Sequence, residues 1–229
     1  MTKIKRILMI PIIILIAVLI TGCDDDSEVV EENMLGIEFP DKGNIVELKK
    51  YDTTNPVAAL YIENYGAVVI ELYKDKAPNT VNNFISLINN GFYDNNTMHR
   101  LMPGFVLHGG DPEGNGTGGP GYTIKGEFSS NGFENDIKHE IGIVSMARGS
   151  YSMDSAGSQF FIMLGDASYL DGEYAAFGKV IDGYENVERI EKEEKVANSE
   201  TGKLAKNLTI KKAIVDLKGN KLEEVIKVD

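Results

Sequence analysis

Over residues 57–180 the chain runs as short apolar segments separated by turn residues, and that rhythm limits the folds open to it. Segments 57–61 and 67–73 are rich in Val, Ile, Leu and Tyr and flank Asn64-Tyr65-Gly66, which predicts a β-hairpin. Beyond Gly91, runs at 101–107, 122–124, 141–146, 160–164 and 175–180 predict strands divided by glycine-rich turns. Many short strands of this kind point to an antiparallel barrel or sandwich. Two stretches carry a helical period instead. Val81, Phe84, Ile85 and Ile88 recur at i, i+3, i+4 and i+7 behind Pro78, with Gly91 as the stop. Residues 182–194 predict a second helix, with Val187 and Ile190 inward and Glu188–Lys192 as an i,i+4 pair. Segment 208–217 reads as a closing strand, and 219–229 as a charged tail.

Charge narrows the partners. A net charge of −12 with no basic patch beyond the first six residues argues against nucleic acid, which needs clustered Lys and Arg. The single cysteine, Cys23, excludes an internal disulfide and a thiolate-cluster metal site. It stands at the end of a distinctive leader. Lys3, Lys5 and Arg6 precede an apolar run at 7–20, short of the ~20 residues of a membrane-spanning helix and matching a secretory signal. The run ends in Leu19-Ile20-Thr21-Gly22-Cys23, which resembles the bacterial lipobox. That resemblance implies removal of signal peptide 1–22 and palmitate-type acylation of Cys23. Cleavage takes away three positive charges and leaves the mature chain at −15. Asp24, Asp25, Asp26, Glu28, Glu31 and Glu32 follow, so 23–50 reads as an acidic tether repelled by an anionic bilayer. The apolar Leu35, Ile37 and Phe39 could dock on the domain instead. The expected location is the cell membrane, lipid-anchored, with domain 51–218 on the extracytoplasmic side.

Few residues offer chemistry. Ser158 lies in Gly-Ser-Gln-Phe-Phe, which lacks the second glycine of a nucleophile elbow. His99 and His108 are nine apart with no third ligand at a metal-like spacing. His139 falls in a polar loop and is expected to be solvated. The glycine-rich loop 112–121 lacks the Lys-Ser/Thr of a phosphate-binding loop. What remains is Arg100 beside the apolar Phe105-Val106-Leu107, where an arginine is more often a structural ion pair than a catalyst.

A resemblance reverses that weighting. His99-Arg100-Leu101-Met102-Pro103-Gly104-Phe105, Gly109-Gly110-Asp111, Gly116-Thr117-Gly118-Gly119, Ser145-Met146-Ala147, Gly157-Ser158-Gln159-Phe160-Phe161-Ile162, Leu170-Asp171-Gly172 and Phe177-Gly178-Lys179-Val180 together resemble cyclophilins. They stand in the family's order over roughly 56–217. The resemblance implies a mainly β fold: a closed eight-stranded antiparallel β-barrel capped by two α-helices. It also implies cis–trans isomerisation of X-Pro bonds with no metal, cofactor or covalent intermediate. Arg100 matches the catalytic arginine. Phe105, Val106, Phe161 and Leu170 match the proline pocket, and Gln159 an orienting glutamine. Ala147 and Arg148 match the segment that pairs with the peptide backbone, and Gly116 a groove-lining turn.

Three substrate-side positions depart: His108 replaces a glutamine, Tyr169 a tryptophan and Tyr174 a histidine. The tryptophan is associated with cyclosporin binding. A neutral imidazole at 108 could hold Arg100, so activity is expected to fall as His108 protonates below about pH 6. The reading is an isomerase acting, as a monomer, on proline-containing clients among exported or surface proteins. The alternative is a low-turnover chaperone or proline-peptide binding module on the same fold. A solute-binding lipoprotein shares the leader but usually has a larger two-lobed α/β architecture.

Overall fold

The computed structural model describes residues 47–228. The signal segment, the lipobox with Cys23, and the tether as far as residue 46 lie outside the described residues. In order the elements are β1 (Val57–Ile62), β2 (Gly66–Leu72), α1 (Pro78–Asn89), β3 (Asn96–Met102), β4 (Val106–Asp111), β5 (Thr123–Ile124), β6 (Ile143–Met146), β7 (Phe160–Met163), β8 (Ala175–Asp182), α2 (Tyr184–Glu193), β9 (Val196–Asn198), β10 (Lys203–Asp216) and β11 (Lys227–Val228). Neighbours run β1-β2-β8-β6-β7-β4-β3-β10, and β10 pairs back onto β1. The result is a closed, eight-stranded antiparallel barrel, which leaves no long open edge. Strand β9 extends β10, while β5 and β11 form a separate two-stranded sheet.

Alternation along the strands sorts the side chains. Leu101, Leu107, Val144 and Ile162 join the interior cluster, which also takes Phe84, Ile85 and Ile88 from α1 and Val187 and Ile190 from α2. Phe84 is fully buried and meets Tyr93, Phe160 and Phe177 at centroid distances of 5.0, 5.5 and 5.1 Å. Burying such a ring contributes roughly 2–3 kcal/mol. Helix α1 ends at Gly91, whose φ of +70° closes a Schellman turn: Gly91 N–H bonds Ile88 O, and Phe92 N–H bonds Leu87 O. Its other end has no local cap. The buried Glu127 carboxylate instead accepts the N–H groups of Asn79 (3.0 Å) and Thr80 (2.8 Å) and the Thr80 hydroxyl (2.7 Å).

Four expectations change. Segment 101–107 is not one strand: Pro103 cannot donate to a ladder, and the chain turns through Gly104 (φ +69°), dividing it between β3 and β4. Only Thr123–Ile124 of 122–124 is strand, and it lies outside the barrel. The charged tail returns to the body, where β11 pairs with β5 and Leu222 and Val225 pack against the main core. At the other end Leu48, read as tether, is buried with Val57, Ala59 and Val69.

Candidate active site

Strand register builds the site. Lys203 pairs with Arg100, Arg100 with His108, His108 with Phe161, and Phe161 with Ser145. These residues form one row across β10, β3, β4, β7 and β6, next to the row whose side chains fill the interior. Over this face lies a second apolar cluster of Val106, Ile143, Phe161, Met163, Ala167, Leu170 and Ala176, with Phe105, Ala147 and Tyr174 packed against it. The exposed Tyr169 stacks on Phe105 at 6.0 Å, and Tyr174 meets Phe161 edge-on at 5.7 Å.

The cation stands beside this apolar patch. Arg100 is half-buried, and its Nε–H donates to Thr201 O at 2.8 Å while Nη2 donates to Met102 Sδ. Arg148 and Arg189 face Glu173 and Glu193. Arg100 faces no carboxylate among the described residues, and burial lowers its affinity for the proton. Two cavities meet at His108. One, of about 480 Å³, is lined by His99, Arg100, Gly116, Thr201 and Lys203. The other, of about 620 Å³, is lined by Gly116, Tyr122, Ala147, Arg148, Tyr151 and Gln159. An extended peptide laid along this face would put an apolar ring in the patch, a backbone amide against the guanidinium, and its flanking residues in the cavities.

Comparison with known proteins agrees with this geometry. Residues 58–215 match the family model described as cyclophilin type peptidyl-prolyl cis-trans isomerase/CLD. The chain belongs to the cyclophilin family. Peptidyl-prolyl cis-trans isomerase B of Bacillus subtilis is 48% identical over 124 residues, 54% of this chain and 82% of the relative. A peptidyl-prolyl cis-trans isomerase of Helicobacter pylori is 41% identical over 134 residues, 58% and 78% respectively. A cyclophilin-type isomerase of Cryptosporidium parvum, crystallised in the presence of the dipeptide Ala-Pro, superposes with TM-score 0.61 at 32% identity. That match covers 70% of this chain and 98% of the other. The reaction that goes with membership is cis–trans isomerisation about X-Pro bonds.

In this cyclophilin the groove wall at 112–118 is tied down from within. Asp111 is fully buried and accepts the N–H groups of Glu113, Asn115 and Gly116. Burial alone would raise its proton affinity, yet those three donors hold the carboxyl below its usual range. Gln159 Nε2 then donates to Gly116 O (3.1 Å) and Gly118 O (2.8 Å), joining the wall to β7. Ala147 N–H bonds Gln159 O. Arg148 Nε donates to Glu173 O, and its guanidinium lies 4.9 Å from the Tyr174 ring centre. All twelve residues singled out in the sequence for catalysis or substrate contact are brought to this one face or its rim.

Two histidines behave differently from expectation. His139 is not solvated but 1% exposed, stacked on Phe161 at 6.2 Å. Its Nδ1 lies 3.1 Å from Asp171 Oδ1 and its Nε2 3.1 Å from Ser145 Oγ. The order Asp-His-Ser suggests a hydrolase relay, but Ser145 is wholly buried under the pocket and no substrate reaches it. Asp171 adjoins Leu170, so the network braces the pocket from behind. His108 is the second correction. Burial first, then His99 at 4.7 Å and Arg100, push its pKa down to about 3. It stays neutral far below pH 6, and the arginine is held by Thr201 O rather than by the imidazole. The Thr201 carbonyl and the Asp171–His139–Ser145 network were missed in the sequence. Their partners lie 6 to 101 residues apart, with no recurring spacing to reveal them.

Proposed function

We propose that Arg100 catalyses X-Pro isomerisation by stabilising the twisted amide, on exported clients, from a domain tethered outside the cytoplasm through Cys23. A planar peptide bond resists rotation with a barrier of ~18–20 kcal/mol because the nitrogen lone pair is delocalised. At the twisted transition state that pair is localised and accepts a hydrogen bond. A guanidinium aimed at it binds the transition state better than the ground state, which is what lowers the barrier. Val106, Phe161 and Leu170 supply the apolar seat for the ring, and the dry surroundings strengthen the bond.

The observation that carries this reading is a half-buried arginine with no carboxylate partner among the described residues, anchored through Nε to Thr201 O and with Nη2 on Met102, which packs against the apolar cluster. A purely structural cation at that depth would be paired. The low-turnover binding module uses the same groove without needing Arg100. Catalytic amounts of the chain should accelerate relaxation of a proline peptide; acceleration only at stoichiometric amounts would favour the binding module. For the anchor, wild-type chain should sediment with membranes and a Cys23→Ala variant should not. Equal sedimentation of both would refute the tether.

A further inference from the structure

Residues 218–228 lie beyond the stretch matched to the family and form a strap across one end of the molecule. Its course is fixed at several points. Lys74 Nζ donates to Lys221 O at 2.7 Å. Asn79 grips Ile226 twice, its Nδ2 donating to Ile226 O and its Oδ1 accepting Ile226 N–H, both at 2.8 Å. Lys227 and Val228 then pair with Ile124 and Thr123, and the Lys227 ammonium sits 4.2 Å from the Tyr122 ring centre. Leu222 and Val225 pack against the main core.

The strap ends on the outer edge of the wall that lines the larger cavity. That wall runs through loop 112–121, which holds five glycines, and such a loop loses more backbone freedom on ordering than any other composition. It is pinned at its near end by Asp111 and in the middle by Gln159. Its far end passes into β5, a two-residue strand whose other edge makes a single bridge, to Ala156. A strand that short has little stability of its own, so the partner strand matters. Tyr122 is the remaining pin, its hydroxyl donating to Asn83 Oδ1 (2.7 Å) while Asn83 Nδ2 donates to Gly157 O (2.7 Å). The same tyrosine ring lies under Lys227.

We propose that this strap is a specificity element: it pre-orders the far wall of the groove and so sets the affinity for extended peptides, without touching the reacting bond. The proposal rests on the reading of the larger cavity as the seat of residues flanking the proline. Arg100, Val106 and Phe161 stand on β3, β4 and β7, which pair within the barrel and do not depend on the strap. Loosening the wall therefore raises the entropy that a long peptide must remove on binding, and leaves the chemical step alone.

The test compares a blocked X-Pro dipeptide with a peptide of about eight residues, in the full chain and in a chain lacking residues 220–229. Truncation is expected to raise KM for the long peptide about fivefold, with kcat within about twofold and the dipeptide unaffected. Amide exchange at 116–124 should quicken by about tenfold while the barrel strands keep their protection. If truncation unfolds the chain, the Asn79→Ala, Lys227→Ala double variant carries the same comparison, since it removes the side-chain pins that hold the strap's end on β5 and leaves Leu222 and Val225 packed on the core. Retained length preference with unchanged exchange at 116–124 overturns the proposal alone. Absence of any length preference in the full chain overturns the reading of the cavity, and the proposal with it.

Discussion

Replacing Arg100 by alanine tests the chemistry most directly. The side chain makes one well-placed hydrogen bond, to the Thr201 carbonyl, and touches Met102 sulfur; no carboxylate among the described residues loses a partner when it goes. Thr201 is exposed, so water replaces the lost donor. Stability should change by less than about 1 kcal/mol, the usual range for a partly exposed site. Catalysis should change far more. One preorganised donor aimed at developing charge is worth about 3 kcal/mol, which is roughly a hundredfold in rate. Arg100→Lys keeps the charge but not the planar fork that reaches Thr201 O and the substrate together, and should recover only about a tenth of the wild-type rate. The assay is the rate of cis-to-trans relaxation of a proline peptide, with folding monitored by thermal unfolding. A folded Arg100→Ala chain within about threefold of wild type would refute the electrostatic mechanism.

The pH dependence should separate activity from stability. Burial lowers the pKa of His99, His108 and His139, that of His108 to about 3, so the fold takes up these protons less readily than the unfolded chain, whose histidines titrate near 6.5. The unfolded state then binds more protons, and stability falls as pH drops from about 6.5 toward 3. Activity per folded molecule should remain flat from about pH 8 to about pH 5, and an inflection near pH 6 in kcat/KM that vanishes in His108→Gln would contradict this. Separately, Glu127→Ala leaves the first N–H groups of α1 and the Thr80 hydroxyl without their acceptor, and should cost about 2 kcal/mol in a denaturant titration. A loss under about 0.5 kcal/mol would show that water caps the helix equally well.

Local order was largely legible in the chain. The stripe of Val81, Phe84, Ile85 and Ile88 requires a helix with one buried face, and α1 is that helix. Asn64-Tyr65-Gly66 required a turn between two β-rich runs, and β1 and β2 flank it in register. Such features depend on neighbours within a few residues, where periodicity and backbone preference act directly. The block from Arg100 to Gly110 showed its mixture of cation, ring and turn, and the resemblance supplied roles. Pro103-Gly104 read as a turn within the strand candidate 101–107, and the chain turns there, so the block divides into β3 and β4.

The assembled site was decided elsewhere. Period-two alternation tells which residues of one strand share a face, but not which strand lies alongside. The row from Arg100 through His108 to Phe161 exists because β4 sits between β3 and β7, a choice made by packing of the whole interior. The same holds for the Glu127 cap on α1, the strap on β5, and the burial of His139 in a segment whose composition suggested solvent. His108 illustrates the limit most sharply. Its identity was plain in the chain, but its charge state follows from the imidazole and guanidinium that the barrel packs beside it and from the water the barrel shuts out.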